Sequence, residues 1–240
     1  MPPPRRPWGD FPDALIHATE SRVKQHPAYP AAKSGDAGAA LDLVRDVFDD
    51  ALPGRLRELL GDRQPMLVSA HAYEREGVNA IPEVLADVMA ARLGWRVDSG
   101  VVQTNVVTHT GADGFARLAR QPAFDGTVIA GADYVMIDDF VGMGGTLANL
   151  RGHIESQGGQ VLAAVVLTGK PHSAKLQLTT ERLNELRKIH GAELEQWWQE
   201  RFGHAFDALT ESEARYLVRT PDLATIRNRI AAAEQAGDCA

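Results

Sequence analysis

Tyr134-Val135-Met136-Ile137-Asp138-Asp139-Phe140-Val141-Gly142-Met143-Gly144-Gly145-Thr146 is the stretch on which the reading of this chain turns. An apolar run ends in two aspartates and a glycine-rich turn. Behind it, Leu147, Leu150 and Ile154 fall at helical spacing before Gly158-Gly159. The pattern predicts a buried strand, a tight loop and a helix. Glycines in such a loop let backbone N–H groups turn toward an anion, and the helix start adds its positive dipole end at the same point, so the loop suits a phosphate. Two carboxylates at the carboxyl end of the strand stand at the usual ligand edge of a parallel sheet. Their hard oxygens suit sugar hydroxyls or hydrated magnesium. Other phosphate motifs fail on spacing: a nucleoside-triphosphate loop needs lysine where Gly145 stands, and a dinucleotide fingerprint needs glycine where Leu147 stands. A plain strand-to-helix turn with two solvated aspartates is the alternative.

Outward from this stretch, strands and helices alternate. Pro65 to Ala70 reads as a short buried strand, and Ile81, Val84, Leu85, Val88, Met89 and Leu93 form an amphipathic helical series stopped by Gly94. Val101, Val102, Val106 and Val107 read as one strand, and Val161 to Leu167, apolar throughout, as a strand buried on both faces. Upstream, Ser34-Gly35-Asp36 opens a helix with Leu41, Val44 and Phe48, which Pro53-Gly54 closes. Beyond residue 173 the pattern is helical only. Thr210 to Glu213 reads as a capping box, Thr220-Pro221 as a helix start, and Leu194, Trp197, Trp198 and Phe202 as one packed face. The expected fold is α/β, a mostly parallel central sheet with flanking helices, plus helical N- and C-terminal extensions. The expected units are a flexible tail (1–12), a helical extension (13–64), a core (65–172) and a helical C-terminal subdomain (173–240).

Composition agrees. Of the 240 residues, 44% are hydrophobic and 24% charged, the balance of a chain that buries a core. The net charge of −7 is spread along the chain, without the basic footprint that nucleic-acid binding needs. The longest apolar run, Val161 to Leu167, is far below the roughly 18 residues of a membrane span. No apolar stretch follows Met1 to Pro7, so no secretory signal is expected, and a lone Cys239 allows neither a disulfide framework nor a cysteine zinc site within the chain. A cytoplasmic location is expected.

The segment from Val135 to Thr146 resembles the signature with which type I phosphoribosyltransferases bind the ribose and 5′-phosphate of phosphoribosyl pyrophosphate (PRPP). The resemblance covers about residues 65–170. Arg75-Glu76-Gly77-Val78-Asn79-Ala80, and the mid-chain loop from Thr108 through Arg117-Leu118-Ala119-Arg120 to Ala123-Phe124, are similar to the ComF-type branch, without its cysteine zinc module. The family pattern usually has Thr or Ala at Gly142, often Thr at Met143, and arginine at Glu76.

This resemblance implies a protein that binds PRPP and Mg2+ and transfers phosphoribosyl to a small-molecule acceptor, releasing pyrophosphate. It implies that Asp138, Asp139, Gly142, Met143, Gly144, Gly145 and Thr146 bind PRPP, with Asp138 and Asp139 also serving the metal. Ala70, His71, Arg75, Glu76 and Gly77 would form the pyrophosphate loop. Arg75, Arg117 and Arg120 would act catalytically, with residues 108–125 closing as a lid. A homodimer is expected. A non-catalytic PRPP-sensing module is the alternative, and a protein of DNA uptake or recombination a third.

Overall fold

The computed structural model describes residues 5–71, 79–105 and 113–238. Its centre is a five-stranded sheet. In chain order the strands are β1 (Leu15–Ala18), β2 (Met66–Ser69), β3 (Val97–Asp98), β6 (Asp133–Val141) and β7 (Gln160–Gly169), in spatial order β1-β7-β6-β2-β3. Every pairing is parallel. Parallel strands need long crossovers, and helices supply them on both faces. β4 (Val102–Gln103) and β5 (Phe124–Asp125) form a separate antiparallel pair. The strand expected from Val101 onward is thus a two-residue ladder, and Val106 and Val107 lie outside the described residues.

The two faces of the sheet carry different cores. On one, Val135, Ile137, Ala163, Val165 and Leu167 pack against α3 (Ala37–Val47), α4 (Leu52–Leu60) and α5 (Ile81–Leu93). On the other, Tyr134, Met136, Ala164 and Val166 meet α7 (Gly145–Ser156) together with Trp8 and Phe11. The helix predicted from the spacing of Ile81 to Leu93 is present, and Gly94 ends it in the left-handed conformation.

Three readings of the N-terminal region need correction. Residues 13–64 are not helical throughout: Leu15–Ala18 is β1, an edge strand paired with β7, four residues long and too short to show a period. Two short helices follow it, α1 (Glu20–Lys24) and α2 (Tyr29–Lys33). Pro53 does not close a helix but sits in the first turn of α4, where its missing N–H costs nothing. Residues 5–12 are no loose tail. Trp8 and Phe11 are buried, and the Arg5 guanidinium makes a two-pronged ion pair with Glu213 at 2.7 and 3.1 Å while Nε donates to Asn149 Oδ1 at 2.6 Å. A proline-rich start conceals this anchor because the partners lie 144 and 208 residues away.

The C-terminal helices form a third core. α8 (Thr180–Phe202) breaks at Gly191, and α9 (Glu211–Val218) and α10 (Leu223–Asp238) close around Trp198, Phe202, Phe206 and Ile226. Trp198 is fully buried, in keeping with core packing. The Thr210/Glu213 capping box forms as read. α10, however, is capped by Asp222, whose carboxylate accepts from Thr225 N–H at 2.7 Å, two residues beyond the expected Thr220.

This third core also claims α6 (Gly114–Ala119), whose Phe115 and Leu118 are buried in it. Among the described residues, the mid-chain segment is therefore docked on the C-terminal helices. Gly114 allows the approach: a Cβ there would lie 2.2 Å from Tyr216 Cζ.

Candidate active site

β6 is central, flanked by β2 and β7, so its carboxyl end lies at the middle of the sheet edge. The backbone there is fixed by ladder pairing of Asp138 with Val166 and by donation from Ala70 N–H to Ile137 carbonyl at 2.8 Å. The turn that follows has Gly144 at φ +84°, and its carbonyl accepts the first helical bond of α7 from Ala148 N–H. This is the strand, loop and helix that the sequence predicts. A Cβ on Gly144 would meet Leu176 Cδ2 at 2.8 Å and Thr210 Cγ2 at 3.0 Å in a backbone conformation costly for L residues. Gly144→Ala is therefore expected to lower stability by about 1–3 kcal/mol, read as a shift in urea midpoint; an unchanged midpoint would contradict the packing described.

The aspartates are not solvated: their exposures are 6% for Asp138 and 9% for Asp139, which removes the alternative of a plain polar turn. Asp139 Oδ2 accepts from the ammonium of Lys33 on α2 at 2.8 Å. Burial opposes the Lys33 charge, but the Asp139 carboxylate outweighs it and raises the lysine pKa. Asp138 Oδ1 accepts from Asp139 N–H at 2.8 Å. Burial, and then the Asp139 charge, push the Asp138 carboxyl well above the usual carboxylate range. The dyad is thus asymmetric, with one anion paired to a lysine and one acid biased toward its neutral form.

That asymmetry bears on magnesium. Magnesium is usually held by one or two carboxylates together with substrate phosphates and water, whereas here Lys33 pairs with Asp139 and burial biases Asp138 toward its neutral form. No cluster of three His, Cys, Asp or Glu able to hold an ion occurs among the described residues. As arranged, with Lys33 on Asp139, the pair does not by itself make a metal site. Its oxygens remain suited to accept from hydroxyls.

The other expected site residues divide. Gly142 and Met143 line a cavity of about 440 Å3, and Arg117 reaches it from α6. The cavity opens beside Phe140, one residue beyond the aspartates, and neither aspartate is part of its described lining. Gly144 and Gly145 abut the C-terminal subdomain instead; a Cβ on Gly145 would lie 2.9 Å from Glu213 Oε1. Thr210 Oγ1 donates to Met143 carbonyl, so the loop is clamped from outside the expected core. Thr146 stands half-buried in the first turn of α7.

Arg120 is a correction. Its guanidinium donates twice to Ala233 carbonyl, at 3.0 and 3.1 Å, tying α6 to α10 rather than facing the cavity. His71 is buried at the end of β2 with Nδ1 2.7 Å from Ser69 Oγ, and Gln103 N–H donates to its carbonyl at 2.7 Å. Arg75, Glu76 and Gly77 lie outside the described residues.

Sequence reasoning missed the basic residues that complete the cavity. Lys24 follows β1, Lys170 follows β7, and Arg215 and Arg219 project from or just beyond α9. The signal available was Lys170 directly after β7; Lys24 ends α1 and Arg215 and Arg219 belong to the α9 region, where spacing alone does not mark them.

No family model matches the chain. Over 229 residues it is 42% identical to Protein TraN of Escherichia coli, covering 95% of this chain and 51% of that protein. Over 151 residues it is 38% identical to an uncharacterized protein of Haemophilus influenzae, covering 62% of this chain and 34% of that one. The chain thus spans about half the length, or less, of these curated relatives. The solved structures it matches include phosphoribosyltransferases and a UMP synthase. An adenine phosphoribosyltransferase matches at 12% identity and TM-score 0.37, covering 63% of this chain and 75% of that one. The adenine phosphoribosyltransferase of Leishmania tarentolae matches at 16% and 0.36, covering 87% and 98%. UMP synthase of Leishmania donovani matches at 16% and 0.33, covering 70% and 32%. TM-scores of this size carry no weight for function. What stands on the chain's own geometry is the α/β fold, a mostly parallel sheet with helices on both faces and helical segments around it.

Proposed function

We propose that the chain binds PRPP at the carboxyl end of β6 and acts as a phosphoribosyltransferase. The observation that carries this reading is one continuous segment. A central parallel strand ends in the buried pair Asp138-Asp139 and runs through a left-handed Gly144 into the start of α7. Hydroxyl acceptors and an anion-favouring helix start, a few residues apart on one strand end, suit a phosphorylated sugar. The ComF-type subdivision rests on sequence pieces that fall partly outside the described residues.

On this reading the ribose hydroxyls displace Lys33 from Asp139 and donate to the carboxyl oxygens. The α7 end meets the 5′-phosphate, and Arg117 supplies positive charge across the cavity. Positive charge developing at the anomeric carbon is then met by the Asp139 carboxylate. Gly142 offers no group for proton exchange with a purine ring, so turnover with hypoxanthine or guanine should be negligible.

Calorimetric titration with PRPP tests the reading. Binding is expected in the unmodified chain, with roughly a hundredfold loss in the Asp138→Asn/Asp139→Asn double variant, which keeps side-chain size while removing the carboxylates. Pyrophosphate release with any acceptor then separates the enzyme from a PRPP sensor. PRPP affinity unchanged by the double substitution would defeat the proposal.

A further inference from the structure

The cavity beside Phe140 has a charge quite unlike the chain that builds it. The protein carries −7 overall, yet Lys24, Lys170, Arg215 and Arg219 line this one space with Glu20 as the acid of its described lining; Lys24 pairs with Glu20, so Lys170, Arg215 and Arg219 carry the excess of positive charge. Glu20 is already spoken for: a hydrogen bond from Lys24, and further the charge of Lys170, hold its carboxyl below the usual range. His172 on the same wall has its pKa lowered by desolvation, then by Arg215, Lys170 and Arg219, so it adds a neutral imidazole rather than another cation. Arg215 Nη2 donates to Ser212 Oγ at 2.9 Å, a neutral partner that leaves its charge in place.

Like charges gathered around one cavity attract an anion into it. The volume, about 440 Å3, is that of a small-molecule pocket. Phe140 and Tyr216 give it aromatic walls, with Lys24 Nζ 4.8 Å from the Phe140 ring centroid. Arginine pairs with carboxylate or phosphate and stacks on flat rings, so Arg215 and Arg219 beside this aromatic surface suit a flat ring bearing negative charge. Lys24 comes from the end of α1, Lys170 from the end of β7, and Arg215 and Arg219 from the C-terminal helices, so the site exists only once the C-terminal subdomain has docked.

We infer that this cavity holds the phosphoribosyl acceptor and that the acceptor is a planar organic anion, its charge carried by carboxylate or phosphate. The inference deepens the PRPP reading and rests on it, since an acceptor role presupposes a donor at the aspartate edge.

A charge series of fixed shape tests it by calorimetry on the full chain: phthalate, benzoate and benzamide, with phenyl phosphate as the second head group. Phthalate or phenyl phosphate should bind roughly tenfold or more tightly than benzamide and weaken as salt is raised. Whichever of the two binds better identifies the head group. The double variant Lys170→Gln/Arg219→Gln should lose roughly tenfold in affinity for that anion. Both side chains are exposed, so an unchanged melting temperature will show that the fold persists. Equal affinity for benzamide, insensitivity to the double substitution, or no binding of either anion would overturn the inference. A parallel PRPP titration of the unmodified chain separates the two claims. PRPP binding without anion binding defeats this inference alone, and anion binding without PRPP binding removes the acceptor role and the PRPP reading together.

Discussion

Arg5→Ala is expected to destabilise the protein by about 3–5 kcal/mol, because it leaves the Glu213 carboxylate buried without its partner. Side-chain exposures of 1% for Arg5 and 2% for Glu213 mean that water cannot replace the lost guanidinium. The same substitution strips Asn149 Oδ1 of its 2.6 Å donor. A loss of that size is a large share of the ~5–15 kcal/mol that domains usually possess. Arg5→Lys should fall between the two, keeping the charge but not the fork that spans both carboxylate oxygens. Combined with Glu213→Gln, Arg5→Ala should cost less than alone, since the stranded charge disappears. Urea unfolding reads all three. A change below about 1 kcal/mol for Arg5→Ala would show that residues 5–12 are not the anchor described here.

Acid is the second large perturbation, and its sign follows from two buried histidines. Burial lowers the His17 pKa from 6.5 to about 4, with Asp49 opposing and Arg55 adding to the effect. Burial and then the nearby Arg5 lower His204 to about 3. The geometry explains why neither ring accepts a proton. His17 Nδ1 accepts from Asp49 N–H at 3.1 Å, and its Nε2 has no partner. His204 Nδ1 donates to Ala205 carbonyl at 3.0 Å, leaving Nε2 buried and unpaired.

With folded pKa values below the unfolded value, the stability is fully present above pH 6.5. It falls as pH drops toward 4 and 3, because the unfolded chain binds protons that the folded chain refuses. By pH 5 the two together should cost about 4 kcal/mol relative to pH 8. Asp138 acts in the opposite sense, since its raised pKa relieves strain as pH falls. The test therefore compares slopes: His204→Gln should flatten stability against pH between 8 and 5 by about 2 kcal/mol. Parallel curves for the variant and the unmodified protein would contradict the assignment.

What the sequence revealed of this fold follows from which signals are local. Ile81 to Leu93 and Val161 to Leu167 show their period or apolar run within one window, and Thr210 with Glu213 is a cap complete in four residues. β1 was hidden because four residues on a sheet edge carry no period, and its pairing with β7 is a contact across some 150 residues. Asp138 and Asp139 were legible as a pair from their place after an apolar strand. Their inequality was not, because it depends on Lys33 from a helix about a hundred residues earlier. Arg117 and Arg120 are three residues apart and alike in composition. One reaches the cavity and the other a carbonyl of α10, a choice made by helix docking rather than by spacing. The basic cavity was the least legible feature of all, since no two of Lys24, Lys170 and Arg215 share a segment of chain.

The central claim is that the end of β6 is a phosphosugar site, and a crystal structure of the full chain grown with PRPP tests it most directly. The 5′-phosphate is expected at the start of α7, beside Gly142 to Thr146. Ribose hydroxyls are expected within hydrogen-bond distance of Asp138 and Asp139, with Lys33 moved off Asp139 Oδ2. Electron density for the ligand elsewhere, or an intact Lys33–Asp139 pair with no ligand at saturating PRPP, would contradict it.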